Sequence, residues 1–389
     1  MDFRMGDKSD AFGMEVREFL AEHMTDEIRE RAHHTGTVHD WGLHKALGDK
    51  GWLGASWPEE YGGQGRDPFE VGALRGELSR VQAPLDGMAT TMMIAGVIRA
   101  AGTEQQRRQI VPPALAGDIL ICLGYSEPDC GSDVAAAATR AVRDGDEWVI
   151  DGSKMFTTLA HEAHYVFMLT RTNTEVPKHK GLTMFIVPMD TPGIEIQPVH
   201  TMGGERTNLT FYNGVRVPDS CRVGEVDNGW RVMQIALAFE RGGGGSWELD
   251  RHLETMTRWA TETTDEDGRR PIDDPQVRAA IAKVAIRVEV SQVLGFRTVW
   301  GAAQEGVPSH VHGSMGKLFA SESLVSSASE LLDLLGTEGV LQHGEADAPV
   351  DGWIEHAYRH SQVTTIYGGT SEIQRSIIAE HGLGLPRTR

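Results

Sequence analysis

Two pairs of histidines could do chemistry, because imidazole nitrogens bind metal ions. His310 lies just before His312 in the chain, and His356 lies one helical turn before His360. A structural or catalytic zinc site needs at least a third ligand, and no Cys or carboxylate stands at ligand spacing from either pair. We therefore interpret both pairs as solvated helix faces and predict no metal site.

Glycine-rich segments are the next candidates, since backbone N–H groups in such loops bind phosphates. The chain has 45 glycines among 389 residues, more than ordinary usage gives. It contains no Gly-x-Gly-x-x-Gly between a predicted strand and a helix, and segment 313–318 (GSMGKL) lacks the spacing and the Ser or Thr of a phosphate loop. The run Gly242–Gly245 matches no such fingerprint either. The sequence thus disfavours a classical nicotinamide-binding fold.

Gly131 and Ser132 form a different kind of candidate. A glycine lets the backbone approach a pyrophosphate closely, and the neighbouring serine can donate a hydrogen bond to it. Successive N–H groups in such a turn also form an anion-binding nest. From the residues alone, an ordinary turn remains the commoner explanation.

The acidic balance of the chain limits the ligands that it attracts. Lys and Arg total 37 against 56 Asp and Glu, a formal net charge of −19 that repels nucleic acid. No apolar run reaches the roughly 18 residues of a membrane span, and the first residues do not resemble a secretory signal. The scattered Cys122, Cys130 and Cys221 fit buried thiols in a reducing compartment. We expect a cytoplasmic protein without nucleic acid binding or membrane insertion.

Hydrophobic periodicity divides the chain into three parts. Residues 1–120 are predicted to be helical, 121–228 to form short strands, and 229–389 to be helical again. Asp151-Gly152 and Asn213-Gly214 are hairpin-type turn signals. The strand runs are 148–150, 165–170, 182–187, 194–199 and 209–212. We predict an α+β protein with domains 1–120, 121–228 and 229–389, the central one a small antiparallel barrel or sandwich.

Three blocks carry a resemblance to a known family. Segments 125–133 (YSEPDCGSD) and 151–158 (DGSKMFTT) resemble the flavin-binding signature of acyl-CoA dehydrogenases, and 366–375 (IYGGTSEIQR) resembles that family's C-terminal signature. The helix–strand–helix order is also the family's order. The resemblance implies FAD as cofactor and a three-domain fold: an N-terminal helical domain, a central small β-barrel and a C-terminal four-helix bundle.

The resemblance also implies roles for individual residues. Phe156 would pack its ring against the isoalloxazine, Thr158 would hydrogen-bond the flavin near N5, and Ser126 would contact the ring edge. The implied FAD-binding set is Tyr125, Ser126, Gly131, Ser132, Phe156, Thr157, Thr158, Thr370 and Glu372. The implied substrate-binding set is Ser132, Arg241, Tyr367 and Gly368.

The implied reaction is α,β-dehydrogenation of an acyl-CoA thioester to the trans-2-enoyl-CoA. A carboxylate removes the α-proton while the β-hydrogen leaves as hydride to flavin N5. Most family members place this carboxylate directly before the Gly-Thr of the third block, where this chain has Gly368. The isovaleryl and long-chain types place it instead in a Glu-Arg pair in the first helix of the C-terminal domain, which here is Glu240-Arg241.

Glu240 follows the apolar run 235–239 and precedes Gly242–Gly245. Such a dry setting raises the pKa of a carboxylate toward neutrality, which suits a general base. The alternative is a surface glutamate paired with a nearby arginine, but the vacancy at Gly368 favours Glu240 as the catalytic base. We hypothesise that the four glycines leave room for a bulky acyl group, such as a steroid side chain or ring, in lipid or steroid catabolism.

Two departures from the family concern its tetramer, in which one subunit clamps the FAD of its neighbour. The Arg and Phe of the first clamp segment fall on Asp265 and Gly268, and the Gln of the second falls on Asp333. An aspartate that faces a diphosphate is unfavourable, so we expect a heterotetramer in which an unlike subunit supplies the clamp. Arg269 and Arg270 could substitute for it, which keeps a homotetramer open.

Other functions remain possible on the same sequence. The electron acceptor expected from the resemblance is electron-transfer flavoprotein, but an acyl-CoA oxidase that reduces oxygen, or a monooxygenase, would carry the same motifs. A non-catalytic partner subunit is a further alternative, against which the presence of Glu240 argues.

Overall fold

A computed structural model describes residues 6–240, 247–302 and 309–387. Its first part is helical, with α1 (Asp7–His23), α2 (Asp26–Thr35), α3 (Trp41–Asp49), α4 (Pro68–Arg80), α5 (Asp86–Ala101) and α6 (Glu104–Leu115). Helix α1 buries Phe12, Val16 and Phe19 at helical spacing and packs against α4. Capping boxes fix the starts of α4 and α6, at Asp67 and Thr103.

The central part is one eight-stranded sheet. Its strands are β1 (Ile121–Gly124), β2 (Arg140–Asp144), β3 (Glu147–Lys154), β4 (Tyr165–Arg171), β5 (Leu182–Pro188), β6 (Ile194–His200), β7 (Arg206–Pro218) and β8 (Arg222–Val223). The strand order is β6-β7-β3-β2-β4-β5-β8, and β1 pairs with β4 outside that path. Most pairs are antiparallel as expected, but β1 and β2 run parallel to β4.

Both hairpin-turn predictions in this sheet are wrong. Asp151-Gly152 lies within β3 and Asn213-Gly214 lies within β7, where the register between the two strands shifts. Gly152 and Gly214 have φ values of 147° and 60°, and the Gly214 N–H donates to the Asp151 carboxylate over 2.8 Å. The two dipeptides form an irregularity between paired strands, because glycine at positive φ suits a bulge as well as a turn.

The last part is helical and includes α7 (Gly229–Glu240), α8 (Trp247–Glu262), α9 (Pro275–Ala302), α10 (Ser309–Leu335), α11 (Trp353–Thr364) and α12 (Ser371–Ile377). Helices α8 to α11 pack around a shared apolar core that includes Leu249, Met256, Val284, Leu331 and Ile354. None of the described helices is long and apolar enough to cross a membrane.

Helix α7 joins the three parts. It packs against α5 and β5, and its residues Val232, Met233 and Ala236 share a buried core with Ile94 and Met184. Residues 232–236 of α7 are therefore held at the junction of the helices and the sheet.

Candidate active site

The turn that follows β1 is fixed by a buried ion pair. The Glu127 carboxylate accepts hydrogen bonds from the N–H groups of Ala138 and Thr139 over 2.7 and 2.9 Å. It also lies 2.7 Å from Nζ of Lys154, the last residue of β3. Burial favours the neutral carboxyl, but the charge and hydrogen bond of Lys154 outweigh it, so the pKa of Glu127 is lowered.

The same contacts bring Tyr125 and Ser126 to the end of β3. Lys154 Nζ donates to the Tyr125 carbonyl over 3.2 Å, and the Met155 N–H donates to the Ser126 carbonyl over 2.9 Å. Two sequence blocks separated by about twenty residues thus form one surface, as the motifs predict.

Phe156 lies on this surface in an unusual conformation. Its φ is +60° and its side chain is 58% exposed. A non-glycine residue in the left-handed region costs about 1–3 kcal/mol and persists where the surrounding structure enforces it, often at ligand sites. The exposed ring on this strained backbone is suited to stack on a planar ligand.

Thr157 and Thr158 follow with different surroundings. Thr157 is fully buried, and its backbone N–H donates to the Asn208 carbonyl while its own carbonyl accepts from the Asn208 side chain. Thr158 is exposed, with its hydroxyl 3.1 Å from that of Thr207. Thr158 can therefore reach a ligand with its side chain, whereas Thr157 anchors the segment.

Gly131 and Ser132 are exposed at the far end of the turn. A Cβ added at Gly131 would meet no atom within 4 Å, so packing in the described structure does not require glycine there. The open space beside Gly131 lets a ligand approach its backbone closely.

The C-terminal block forms a second cluster. Gly368 and Gly369 have φ values of 63° and 87°. Their carbonyls accept hydrogen bonds from Gln374, and Lys317 of α10 donates to the Gly369 carbonyl over 2.9 Å. This backbone conformation turns the chain from Tyr367, which is 51% exposed, into α12.

Thr370 and Glu372 lie at the start of α12. The Thr370 hydroxyl accepts from the Ile373 N–H over 3.3 Å and so caps the helix. Both residues line a cleft of about 560 Å³ between α10 and α12. An ion pair of 2.6 Å between Arg375 and Glu322 spans this cleft. No hydrogen bond or ion pair among the described residues joins either of them to the surface around Phe156.

The predicted base lies at the edge of what the structure describes. Glu240 is the last residue of α7. Its side chain, Arg241 and Gly242–Gly245 lie outside the described residues, so their predicted roles stay predictions.

The interpretation of the histidine pairs as solvated helix faces holds for His310, which is exposed, and is wrong for the other three. His312 is only 8% exposed, and His356 and His360 face a cleft between α11 and the β6–β7 turn. His360 Nδ1 bonds the Glu205 carboxylate, and His356 Nε2 lies 3.9 Å from the same oxygen. The partner comes from a distant strand connection, so spacing along α11 did not reveal it.

Three family models match consecutive parts of this chain. They are the N-terminal, middle and C-terminal domains of acyl-CoA dehydrogenase, which match residues 6–118, 122–213 and 227–383. The chain belongs to the acyl-CoA dehydrogenase family. It is thus an oxidoreductase of a family of FAD flavoproteins, and the fold and cofactor expected from the signature blocks are confirmed.

Relatives of this acyl-CoA dehydrogenase include a steroid acyl-CoA dehydrogenase. It is 36% identical over 385 residues to acyl-CoA dehydrogenase FadE26 of Mycobacterium tuberculosis, with 96% of each chain covered. Its structure matches the ChsE4–ChsE5 complex of the same species with a TM-score of 0.92 and 35% identity, covering 100% of both chains. The Tcur3481–Tcur3483 steroid acyl-CoA dehydrogenase matches with a TM-score of 0.91, 34% identity and complete coverage of both chains.

The described residues of this acyl-CoA dehydrogenase fit FAD. The exposed, strained Phe156 offers a face for a planar ring, and the space beside Gly131 leaves its backbone and Ser132 accessible. Glu127 and Lys154 hold these elements together, although the sequence reasoning did not single them out. Their places inside the two signature blocks were the only available signal.

Proposed function

We propose that this acyl-CoA dehydrogenase catalyses α,β-dehydrogenation of an acyl-CoA thioester to the trans-2-enoyl-CoA, with Glu240 as the base. The observation that carries the assignment is Gly368: an otherwise intact C-terminal signature has no carboxylate where most members have one. Glu240 is the last residue of α7, and the earlier residues Val232, Met233 and Ala236 of that helix are buried at the junction of the three parts, which supports the proposal.

Each part of the chain has a role in this reaction. The carboxylate of Glu240 accepts the proton from Cα of the thioester. Exclusion of water by the bound substrate raises the pKa of this carboxyl, which makes it a better base. Bound FAD supplies the hydride acceptor, N5, for the hydrogen that leaves Cβ. Phe156, Thr158, Ser126 and Gly131 would hold that cofactor, together with Thr370 and Glu372.

Replacement of Glu240 tests the base. Glu240→Gln should keep FAD but lose bleaching of the flavin by acyl-CoA under anaerobic conditions, because an amide cannot take the α-proton. Glu262→Gln is the matched control, since Glu262 is the exposed last residue of α8. Bleaching of the Glu240 variant at the wild-type rate would reject the assignment. Peroxide formation in air with the wild type would instead indicate an oxidase.

We also propose an unlike partner subunit. Helix α9 exposes Ile286, Val290, Val293 and Trp300 along one face, at 63, 38, 44 and 41%. Such an apolar stripe fits contact with another chain. The ChsE4–ChsE5 and Tcur3481–Tcur3483 relatives are described as assemblies of two named chains.

The partner would supply the FAD clamp that this chain lacks. Arg269 and Arg270 already pair with Asp267 and Asp273, at 3.2 and 3.5 Å, within their own exposed loop. Co-expression with adjacent genes, followed by measurement of FAD per chain, tests the proposal: we expect more FAD in the co-purified complex than in this chain alone. Full FAD occupancy in the isolated chain would favour a homotetramer. We assign electron-transfer flavoprotein as the acceptor on the same family grounds.

A further inference from the structure

A cleft of about 820 Å³ opens between the N-terminal helices, the β6–β7 turn and the C-terminal helices. Its volume lies in the range of pockets that hold drug-sized ligands. Asp86, Glu205, His356 and His360 are among the side chains that face it. The cleft is therefore spacious, but its wall is polar.

Asp86 is a carboxylate in this wall whose side chain has no bonded partner in the described part of the chain. It is the first residue of α5, and its side chain is exposed to the cleft. Its backbone N–H donates to the Val38 carbonyl over 3.0 Å, but its side chain makes no hydrogen bond or ion pair with any residue that the structure describes. The protein around the cleft desolvates the carboxylate and raises its pKa to about 6, an effect that the charge of His360 opposes. The Asp86 carboxylate is therefore open to a ligand in the cleft.

The facing wall is already paired. Glu205 bonds His360, and His356 lies nearby with a pKa lowered to about 4, mainly by burial. These groups already interact with one another, between the β6–β7 turn and α11. Asp86 consequently faces the cleft as a carboxylate acceptor whose side chain has no bonded partner among the described residues.

The remaining charges select the kind of ligand. Arg29, Arg251 and Arg258 line the same cleft, and so do the acidic residues Asp26, Glu30, Glu248 and Asp351. A strongly charged ligand of either sign would meet like charges in this wall, and a plain hydrocarbon would displace water from it without replacing the lost hydrogen bonds. A neutral hydrogen-bond donor, such as a hydroxyl on a bulky apolar frame, meets both conditions.

Asp86 is electrostatically linked to the substrate end of the site. Although half of the Tyr367 surface is exposed, the protein around its hydroxyl desolvates that group and raises its pKa, and the nearby charges of Glu248, Asp86 and Glu205 add to the effect. Tyr367 immediately precedes Gly368, in the block that the family signature places at the substrate. An acyl group with its thioester near Gly368 could therefore extend toward Asp86.

We propose that Asp86 determines substrate specificity by accepting a hydrogen bond from a hydroxyl on a bulky, polycyclic acyl group. This inference rests on the proposed dehydrogenation and names its substrate class. The hydroxyl stays intact in the reaction, since Asp86 binds it at a distance from the carbons that lose hydrogen. A ketone at the same place would be disfavoured, because its oxygen would face a carboxylate.

Anaerobic flavin bleaching by a set of steroid acyl-CoAs tests the proposal in the FAD-loaded enzyme. The probes are cholanoyl-CoA without a ring hydroxyl, lithocholoyl-CoA with one, deoxycholoyl-CoA with two, and the ketone made by oxidising the lithocholoyl hydroxyl. At pH 8, we expect kcat/KM for at least one hydroxylated probe to exceed that for cholanoyl-CoA and for the ketone by tenfold or more.

Variants of Asp86 separate recognition from folding. Asp86→Ala should abolish the hydroxyl preference, and Asp86→Asn should retain part of it because an amide oxygen still accepts. Both should keep the wild-type FAD content and thermal unfolding, which shows that the substitutions leave the fold intact. Asp7→Asn is the matched control, since Asp7 is the exposed first residue of α1.

The outcomes distinguish this inference from the function on which it rests. If the wild type bleaches with acyl-CoAs but shows no hydroxyl preference, or if Asp86→Ala keeps that preference, the inference fails and the dehydrogenation stands. If no acyl-CoA bleaches the flavin, the proposed function fails and the inference fails with it.

Discussion

Lys154 Nζ lies 2.7 Å from the Glu127 carboxylate, and the lysine side chain has no exposed surface. The ion pair connects the last residue of β3 to the turn that carries Ser126 and Gly131. Because Glu127 also accepts two backbone N–H groups, one carboxylate fixes both elements of the predicted flavin surface.

Removal of the lysine should therefore be costly. In Lys154→Met, the Glu127 carboxylate stays buried without its cation, and we expect the free energy of unfolding to fall by about 3–5 kcal/mol. The double variant Glu127→Gln/Lys154→Met should lose less than the single one, since it leaves no uncompensated charge. Urea denaturation of the apoprotein measures both values.

Arg216→Met is the control for the lysine variant. Arg216 pairs with Asp144 and Glu147 at 2.5 and 3.1 Å on an exposed part of the same sheet. The loss of this pair should cost less than about 1 kcal/mol. A similar loss for Lys154→Met would show that the enclosed pair does not hold the turn.

We expect the strained conformation of Phe156 to lower the stability of the apoprotein and its ring to strengthen FAD binding. Glycine adopts a φ of +60° without the strain that phenylalanine carries, so Phe156→Gly should stabilise the apoprotein by up to about 1 kcal/mol. The same change should weaken FAD binding about tenfold or more through the lost ring contact. Thermal unfolding and FAD titration measure the two effects.

Asp347→Gly is the matched control for Phe156→Gly. Asp347 is exposed with a φ of +65°, outside the predicted flavin surface. We expect a comparable gain in thermal stability with unchanged FAD affinity. If Phe156→Gly also left FAD affinity unchanged, its ring would have no role in binding.

The Glu205–His360 pair should make stability depend on pH. Desolvation opposes ionisation of both groups, but their mutual hydrogen bond and charges outweigh it, so the pKa of Glu205 is lowered to about 2 and that of His360 is raised. Glu205 contributes stability above its unfolded pKa of about 4.5, and this is lost as the pH falls toward 2. His360 contributes below about 6.5, and this is lost as the pH rises through its folded pKa.

We therefore expect the stability difference between the wild type and His360→Gln to be largest between about pH 4.5 and 6.5. His356, Asp86 and Glu248 also act on this pair, so the size of the difference depends on the whole cleft. Thermal unfolding across pH measures it. His34→Gln, at an exposed pair with Glu30 of 3.4 Å, is the control and should change little. A difference that is constant from pH 3 to 8 would contradict the pairing.

Local motifs predicted the parts of the site that local backbone geometry builds. Ser126 and Phe156 lie in short segments whose residues must fit one ligand, so their blocks identify them. Glu205 and His360 are 155 residues apart, and only packing of α11 on the β6–β7 turn brings them together. Likewise, the sequence signal at Asn213-Gly214 is the same for a turn and a bulge, and strand pairing decides between them.

Gly368 offers the last prediction, because the proposal places it at the usual position of the base, and its φ is +63°. A side chain there costs about 1–2 kcal/mol in the left-handed region, so Gly368→Glu and Gly368→Gln should lower the thermal stability equally. In the Glu240→Gln background, only Gly368→Glu should restore measurable flavin bleaching, since it returns a carboxylate to the reacting carbon. Equal bleaching by the two double variants, compared anaerobically with one acyl-CoA, would contradict the placement of Gly368 beside that carbon.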